Sequence, residues 1–345
     1  MEPLVSILIP AYNSEEWIAS SLESAIAQTW PNKEIIVVDD GSSDGTLDVA
    51  KRYESKTLRV VSQLHQGAAA ARNKAFSLCS GDYIQWLDAD DLLSSQKIAA
   101  QLAVLGHCCS ARTVASGPWA FFLYRHRVAE FSPTALCCDL SPVEWLLRKM
   151  GQNLHMQTAT WLVSRSVTEA AGPWNTQLRT DDDGEYFCRV LLESDGVRFV
   201  SEAKVFYRAS GPASLHYIGR SNSKMAAQFH SMQLHIEYIR SLEDSPRVRA
   251  ACVKYLQNWL IEFYPERPDI VERAEHLAAE LGGRLETPRF SWKYAWLGAL
   301  GGPQLAKRGQ ILARNARAAL LGSVDRMLMQ AETLRARPRF KKSGR

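Results

Sequence analysis

Three features of the sequence predict an α/β fold with a mostly parallel central sheet flanked by helices and a helical C-terminal extension. Short apolar runs alternate with helical patterns through the first 106 residues. The runs are continuously apolar, as strands covered on both faces of a parallel sheet are. From about Ser223 onward helical patterns dominate, with no strands between them.

In chain order, LVSILIP (4–10) reads as the first strand. NSEEWIASSLESAIAQ (13–28) follows as a helix, with Asn13 as N-cap and Glu16 three residues on, as in a capping box. Ile18, Leu22 and Ile26 give it one apolar face. EIIVVDD (34–40) is a second strand, and DGTLDVAKRYE (44–54) a helix with Asp44 near its cap. LRVV (58–61), GAAAARNKAFSLC (67–79) and YIQWL (83–87) add a strand, a helix and a strand, completing a series of βαβ units. Beyond them, PWAFFLY (118–124) suits an edge strand. SPVEWLLRKM (141–150) opens a helix, with Ser141 as cap and Pro142 in the first turn. TATWLV (158–163) reads as a strand, DDGEYFCRVLLES (182–194) as a helix, and VRFV with AKVFYR as a short hairpin. Gly-Gly pairs at 282–283 and 301–302 and prolines at 288 and 303 break the C-terminal helices.

The bulk properties narrow the class. A chain of 345 residues exceeds the usual span of one core, and a break is expected near Gly219. The net charge of +4 is uneven. From Ala306 to Arg345 there are 11 Lys and Arg against 2 Asp and Glu, and in the rest 30 against 35. Seven cysteines, two adjacent pairs among them and none spaced C-x-x-C, argue against a disulfide framework or structural zinc and for a reducing compartment. The N-terminal apolar run is too short for a signal peptide, and no run is long enough to span a membrane.

The unusual residues fall at strand ends, where open parallel sheets bind ligands. They are Pro10, Ala11, Tyr12 and Asn13 after the first strand, Asp39 and Asp40 after the second, and Asp88, Asp90 and Asp91 after the fourth. A rim this acidic repels phosphate unless a divalent cation lies between, and hard cations take carboxylate and phosphate oxygens together. Asp88 and Asp90 are therefore candidate ligands for a metal that bridges a diphosphate.

VSILIPAYN, EIIVVDDGSSDGT, QGAAAARNKA and GDYIQWLDADD, in that order over residues 5–91, resemble the inverting family 2 glycosyltransferases of the GT-A, Rossmann-like fold. A weaker likeness continues through GPWNTQL and TDDDGEYFCRVL to about residue 208. The resemblance implies a domain over 1–219, with a nucleotide-binding half (1–106) and an acceptor half (107–219), then a helical region with a basic tail over 220–345. It implies that Pro10, Ala11, Tyr12 and Asn13 line the nucleotide. Asp40 would accept from a uracil or thymine imide N–H, with Asp39 nearer the sugar or structural. Arg72 would approach the nucleotide. Asp88 would face the ribose or metal-bound water, and Asp90 would ligate Mn²⁺ or Mg²⁺ with Asp91 in support. His216 falls where some members place a histidine near the metal. The general base would be Asp183, with Asp182 in place of the usual Glu and Arg189 closing the motif; the run Asp181-Asp182-Asp183 leaves the assignment open by one residue.

The implied activity is transfer of a sugar from a nucleoside-diphosphate sugar, UDP or dTDP, to an acceptor hydroxyl in a surface polysaccharide or lipid-linked glycan. A non-catalytic sugar-nucleotide-binding protein and a nucleotidyltransferase are the rivals. The second would carry a Gly-rich, basic loop after the first strand, where PAYNSEEW has neither feature. Plainer readings stand beside the sharp ones: Asp44 as a helix cap, the triple Asp as a charged helix N-terminus, His216 as a loop residue, and Trp161 and Trp174 as core. The basic tail reads as a solvated helix, a docking arm, or a peripheral contact with the inner membrane surface, in a cytoplasmic setting. Nucleic acid is not expected, since no recognition motif accompanies the charge.

Overall fold

The computed structural model describes residues 2–108, 110–178, 180–209, 221–288 and 292–336, with the backbone alone at 108, 292–299, 301 and 333–336. The strands are β1 (Val5–Ala11), β2 (Lys33–Asp39), β3 (Leu58–Ser62), β4 (Tyr83–Trp86), β5 (Leu92–Leu93), β6 (Thr113–Ser116), β7 (Trp119–Phe122), β8 (Val163–Ser164), β9 (Gly196–Phe199) and β10 (Val205–Arg208). The helices are α1 (Ile18–Ile26), α2 (Thr46–Lys51), α3 (Ala68–Leu78), α4 (Lys97–Cys108), α5 (Pro142–Gln152), α6 (Arg165–Ala171), α7 (Asp182–Leu192), α8 (Asn222–Leu242), α9 (Pro246–Phe263), α10 (Pro268–Glu280) and α11 (Trp292–Ala336).

The main sheet has the order β3-β2-β1-β4-β8, with all pairings parallel except that of β8. Its residues alternate between two cores. Leu8, Ile36, Val38, Ile84 and Trp86 pack with α3, α5 and α7–α10, whereas Val5, Ile7, Ile9, Ile35 and Val37 pack with α1 and α4. Each fully buried Leu or Ile contributes about 1.5–3 kcal/mol, which is why these strands read as unbroken apolar runs.

Register is set by polar contacts at the N-terminal edge. The Ser6 hydroxyl, buried on β1, donates to Glu34 Oε1 on β2 (2.6 Å) and accepts from the Gly81 amide ahead of β4 (2.8 Å). A Cβ on Gly81 would meet Ser6 Oγ at 2.4 Å, so only glycine allows this approach. At the other end, Leu8 accepts from the Leu87 amide (3.0 Å) and the β1–β4 ladder stops. Pro10, two residues on, faces the same side with no N–H to offer. The β1–β4 ladder thus ends where the strand order reverses, the position at which such sheets bind ligands.

Two compact units make up the chain. The first comprises Met1–Ala120, Phe131–Tyr207 and Ile218–Arg289, the second Phe121–Glu130, Arg208–Tyr217 and Phe290–Arg345. Helices α8–α10 share the first unit's core through Met225, Phe229, Leu256 and Ile270, so the helical stretch after 220 is divided between the units. The break expected at Gly219 lies outside the described residues.

Several expected elements form differently. Asn13 is left-handed (φ 47°) and its Oδ1 accepts from the Ser43 amide (2.8 Å), tying two rim loops together, so no capping box forms and α1 begins at Ile18. The strand expected at 158–163 is reduced to Val163–Ser164. Gln157 accepts from the Ala159 amide (2.5 Å) and winds Thr158–Thr160 into a 3₁₀ turn. The expected hairpin is absent: β9 pairs in parallel with β6, and β10 antiparallel with β5. Gly302 (φ 77°) and Pro303 lie within α11 without ending it. The residue before a proline is pushed out of the helical region, and glycine takes the left-handed one instead.

Candidate active site

The rim loops after β2 and β3 enclose Asp40. Its Oδ1 accepts from Gln63 Nε2 (2.7 Å) and the Gln66 amide (2.9 Å), and its Oδ2 from the Gly67 amide (2.7 Å). His65 Nδ1 lies 2.9 Å from Oδ2. The His65 ring stacks on Tyr12 at 4.1 Å, leaving the exposed Tyr12 ring above the end of β1. Gly41 (φ 72°) turns the chain after Asp40, where a Cβ would meet the His65 amide at 2.9 Å. The neighbouring Asp39 differs. Its Oδ2 accepts from Ser62 Oγ (3.2 Å), while its buried Oδ1 has no donor. Pro10 and Ala11 are buried under this rim.

The end of β4 meets the N-terminus of α7 through Arg72. The alanine-rich face of α3 brings that helix close to the sheet, and Arg72 is buried on it. Its guanidinium donates to Asp88 Oδ1 (2.7 Å) and Asp182 Oδ2 (2.9 Å) and lies 4.3 Å over the Trp174 ring. Burial opposes its charge, but Asp88, Asp182 and Asp183 outweigh that and hold its pKa above the ordinary value. Trp174 is fixed by stacking on Tyr186 (4.0 Å) and by a reciprocal bond pair with Asn73 (2.8 and 2.9 Å). Trp161 and Trp174 are thus core residues, at 0% and 2% exposure. Arg189 pairs with Glu185 (2.7 Å) and donates to the Pro173 carbonyl (2.8 Å), securing the loop that carries Trp174.

The three successive aspartates point to different partners. Asp181, left-handed at φ 55°, accepts from Ser231 Oγ (2.7 Å) and Gln228 Nε2 (3.2 Å) on α8, and burial raises its pKa. Asp182 goes to Arg72. Asp183, buried, accepts from Thr158 Oγ1 (3.3 Å) and the Gly184 amide (2.9 Å). Asp91, fully buried, accepts from Gln157 Nε2 (2.5 Å). Burial raises the pKa of the Tyr207 phenol, and the charges of Asp91, Asp183, Asp88 and Asp90 raise it further. Gln157, Thr158, Tyr207 and His65 were not singled out from the sequence. The first two lay inside or beside a stretch read as a strand, and the other two carry no motif. His216 lies outside the described residues.

Asp88 and Asp90 supply hard oxygen donors of the kind Mg²⁺ and Mn²⁺ accept. Among the described residues no set of three His, Cys, Asp or Glu is gathered for a metal. An ion held by this pair would take its other ligands from a bound diphosphate and water, which fits a site that completes itself only with its ligand.

Residues 6–150 match the family model described as Glycosyl transferase family 2. Among curated proteins, the putative teichuronic acid biosynthesis glycosyltransferase TuaG of Bacillus subtilis is 40% identical over 104 residues, covering 29% of this chain and 41% of that one. The UDP-Glc:alpha-D-GlcNAc-diphosphoundecaprenol beta-1,3-glucosyltransferase WfaP of Escherichia coli is 42% identical over 100 residues, covering 29% and 40%. The chain thus spans about two-fifths of the length of these relatives. Among solved structures, S. aureus TarS 1–349 in complex with UDP-GlcNAc superposes with a TM-score of 0.64 at 17% identity, over 80% of this chain and 81% of that one. That likeness is one of fold, and the expected mostly parallel GT-A sheet with helices on both faces is the one observed. The sequence motifs and the matched segment agree, and residues 6–150 of the chain are similar to glycosyl transferase family 2.

Proposed function

We propose that the first unit transfers a sugar from a UDP- or dTDP-sugar to an acceptor hydroxyl with inversion at the anomeric carbon. The observation that carries this reading is that Arg72 bridges Asp88 to Asp182, while the adjacent Gln157 and Thr158 bind Asp91 and Asp183. One half of that cluster follows a parallel strand, the other opens a helix, and the β1–β4 ladder ends at the same rim. A lipid-linked glycan is the acceptor class favoured by the WfaP name, and the cysteine pattern supports a cytoplasmic setting.

Within this reading Asp183 is the general base. Asp181 is turned to α8 and Asp182 is bound to Arg72, while Asp183 shares its surroundings with the β4 carboxylates. It takes the proton from the acceptor hydroxyl as that oxygen attacks, and the nucleoside diphosphate leaves from the opposite face. Asp88 and Asp90 would hold Mn²⁺ or Mg²⁺, which supplies Lewis-acid stabilisation of the diphosphate. For the base of the nucleotide, the geometry favours Asp39 over Asp40. Asp40 already accepts from three protein donors with His65 Nδ1 beside it, whereas the buried Asp39 Oδ1 lacks one and suits an imide N–H. Tyr12, backed by His65, would stack on the pyrimidine.

The test separates binding from turnover. Asp183→Asn should retain donor binding, seen as a thermal shift with UDP-sugars and Mn²⁺, and lose about 10²–10⁴-fold in transfer rate. Transfer at the wild-type rate would remove Asp183 from the base role. Retained binding with no transfer by the wild type toward any glycan acceptor would favour a binding protein.

A further inference from the structure

Helix α11 of the second unit presents two different faces. Ile311, Asn315, Gly322, Asp325 and Met329 are half-buried and share one side. Asp325 is held there by the Tyr124 amide (2.9 Å) and Arg125 Nε (2.7 Å), and Glu332 by Arg125 Nη1 (2.8 Å). The other side carries Leu320, Val324, Met327 and Leu328 at the i, i+4, i+7, i+8 spacing of an apolar stripe. Leu320 is 66% exposed, Val324 41% and Met327 60%. A continuous row of large apolar side chains in water on one helix is a docking surface and not ordinary surface scatter.

Charge selects the occupant. Asp325 and Glu332 are the only acids in the sequence of α11, and Arg125 engages both. Apart from Glu332, which Arg125 holds, the exposed charges along the described part of the helix, on Arg308, Arg314, Arg317 and Arg326, are cations, and the sequence after Ala336 adds Arg337, Arg339, Lys341, Lys342 and Arg345. A second copy of α11 laid on this face would bring arginines together, and Glu332, the exposed carboxylate of the described helix, is already engaged by Arg125. A bilayer interior is not the destination, since no helix among the described residues is long and apolar enough to cross one. An apolar stripe bordered by cations is the pattern that lies in the headgroup region of an anionic bilayer. We infer that α11 docks this protein on an anionic phospholipid surface through the stripe from Leu320 to Leu328. The inference rests on the second unit alone and does not depend on the proposed transferase reading.

Flotation of the full chain with vesicles tests it. Binding is expected to phosphatidylcholine–phosphatidylglycerol vesicles, not to phosphatidylcholine alone, and should weaken in high salt. The double variant Leu320→Glu/Met327→Glu should bind about tenfold or more weakly, and Arg314→Glu/Arg317→Glu should also lose binding. Val104→Glu, an exposed apolar position on α4, should leave binding unchanged. Circular dichroism melts establish that each variant is folded, and the arginine pair answers the question should the leucine–methionine pair melt. Binding to neither vesicle, equal binding to both, or binding indifferent to both double variants overturns the proposal. So does a concentration-dependent dimer that Leu320→Glu/Met327→Glu dissociates in the absence of any vesicle binding, which would give the face to a second copy.

Discussion

The rim around Asp40 and the rim around Asp183 hold carboxylates of similar burial by opposite means. Asp40 is clasped by neighbours in the chain: Gln63, His65, Gln66 and Gly67 all lie on the loop that follows the adjacent strand. The second cluster is assembled from afar. Arg72 reaches Asp182 across 110 residues of sequence, Gln157 reaches Asp91 across 66, and Ser231 reaches Asp181 across 50. The first rim joins the loops that follow two adjacent strands, so it exists once β2 and β3 pair. The second exists only when α3, α7, α8 and the Gln157 turn have all docked, so its stability is tied to global packing.

Removing Arg72 should break the second cluster most severely. Arg72→Ala leaves Asp88 and Asp182 close together without their cation, and a loss of about 3–5 kcal/mol is expected in denaturant unfolding. Arg72→Lys should recover only part of it, because one ammonium cannot present the planar fork that spans two carboxylates. An equal loss for both variants would show that charge counts and geometry does not. The local rim should respond less. Asp40→Ala strands the Gln66 and Gly67 amides and should cost about 2–3 kcal/mol, with weaker nucleotide binding by calorimetry. An effect on stability equal to that of Arg72→Ala would erase the distinction between the two rims.

A third experiment sharpens the contrast through pH. His235 is fully buried behind the second cluster, facing Tyr255 (3.0 Å), Ser231 and Asp181. Burial, then the Lys149 charge, holds its pKa well below the ordinary value of 6.5. The folded state keeps the imidazole neutral while the unfolded chain takes up a proton. The His235 contribution is therefore complete above pH 6.5 and is lost as pH falls below it, by up to about 1.4 kcal/mol per pH unit. Asp181, raised by burial, acts in the opposite sense: its contribution is complete below its ordinary value and lost as pH rises through the raised one. Comparing the wild type with His235→Asn isolates the histidine. The variant's melting temperature should fall less between pH 7 and pH 5 than that of the wild type, and parallel curves would mean His235 does not titrate in this way.

The same contrast explains what could be read from the sequence. The first four strands, the order of the βαβ units and the acidic triplet Asp88, Asp90 and Asp91 are written in short consecutive stretches, and local pattern suffices for them. The alanine run of α3 reads as a helix, but nothing in it reveals that Arg72 would be buried between two acidic loops. Which of Asp39 and Asp40 keeps an open acceptor depends on the Gln66 and Gly67 amides, a matter of backbone direction that residue identity does not carry. Gln157 looked like the approach to a strand because its side chain was not expected to close a turn on Ala159. The Asp181 to Asp183 run could not be divided into roles without α8, whose serine and glutamine claim only the first.

The Ser6–Glu34–Gly81 contact has a consequence far from where it sits. With both faces of the sheet lined by aliphatic side chains, sliding β1 against β2 would keep every one of them dry. Oiliness is thus blind to alignment, and a hydroxyl, a carboxylate and one amide at the amino ends of the strands choose the frame. That choice fixes which residues emerge at the opposite ends, and so decides that Tyr12, Asp39 and Asp88 are the ones to meet whatever arrives there.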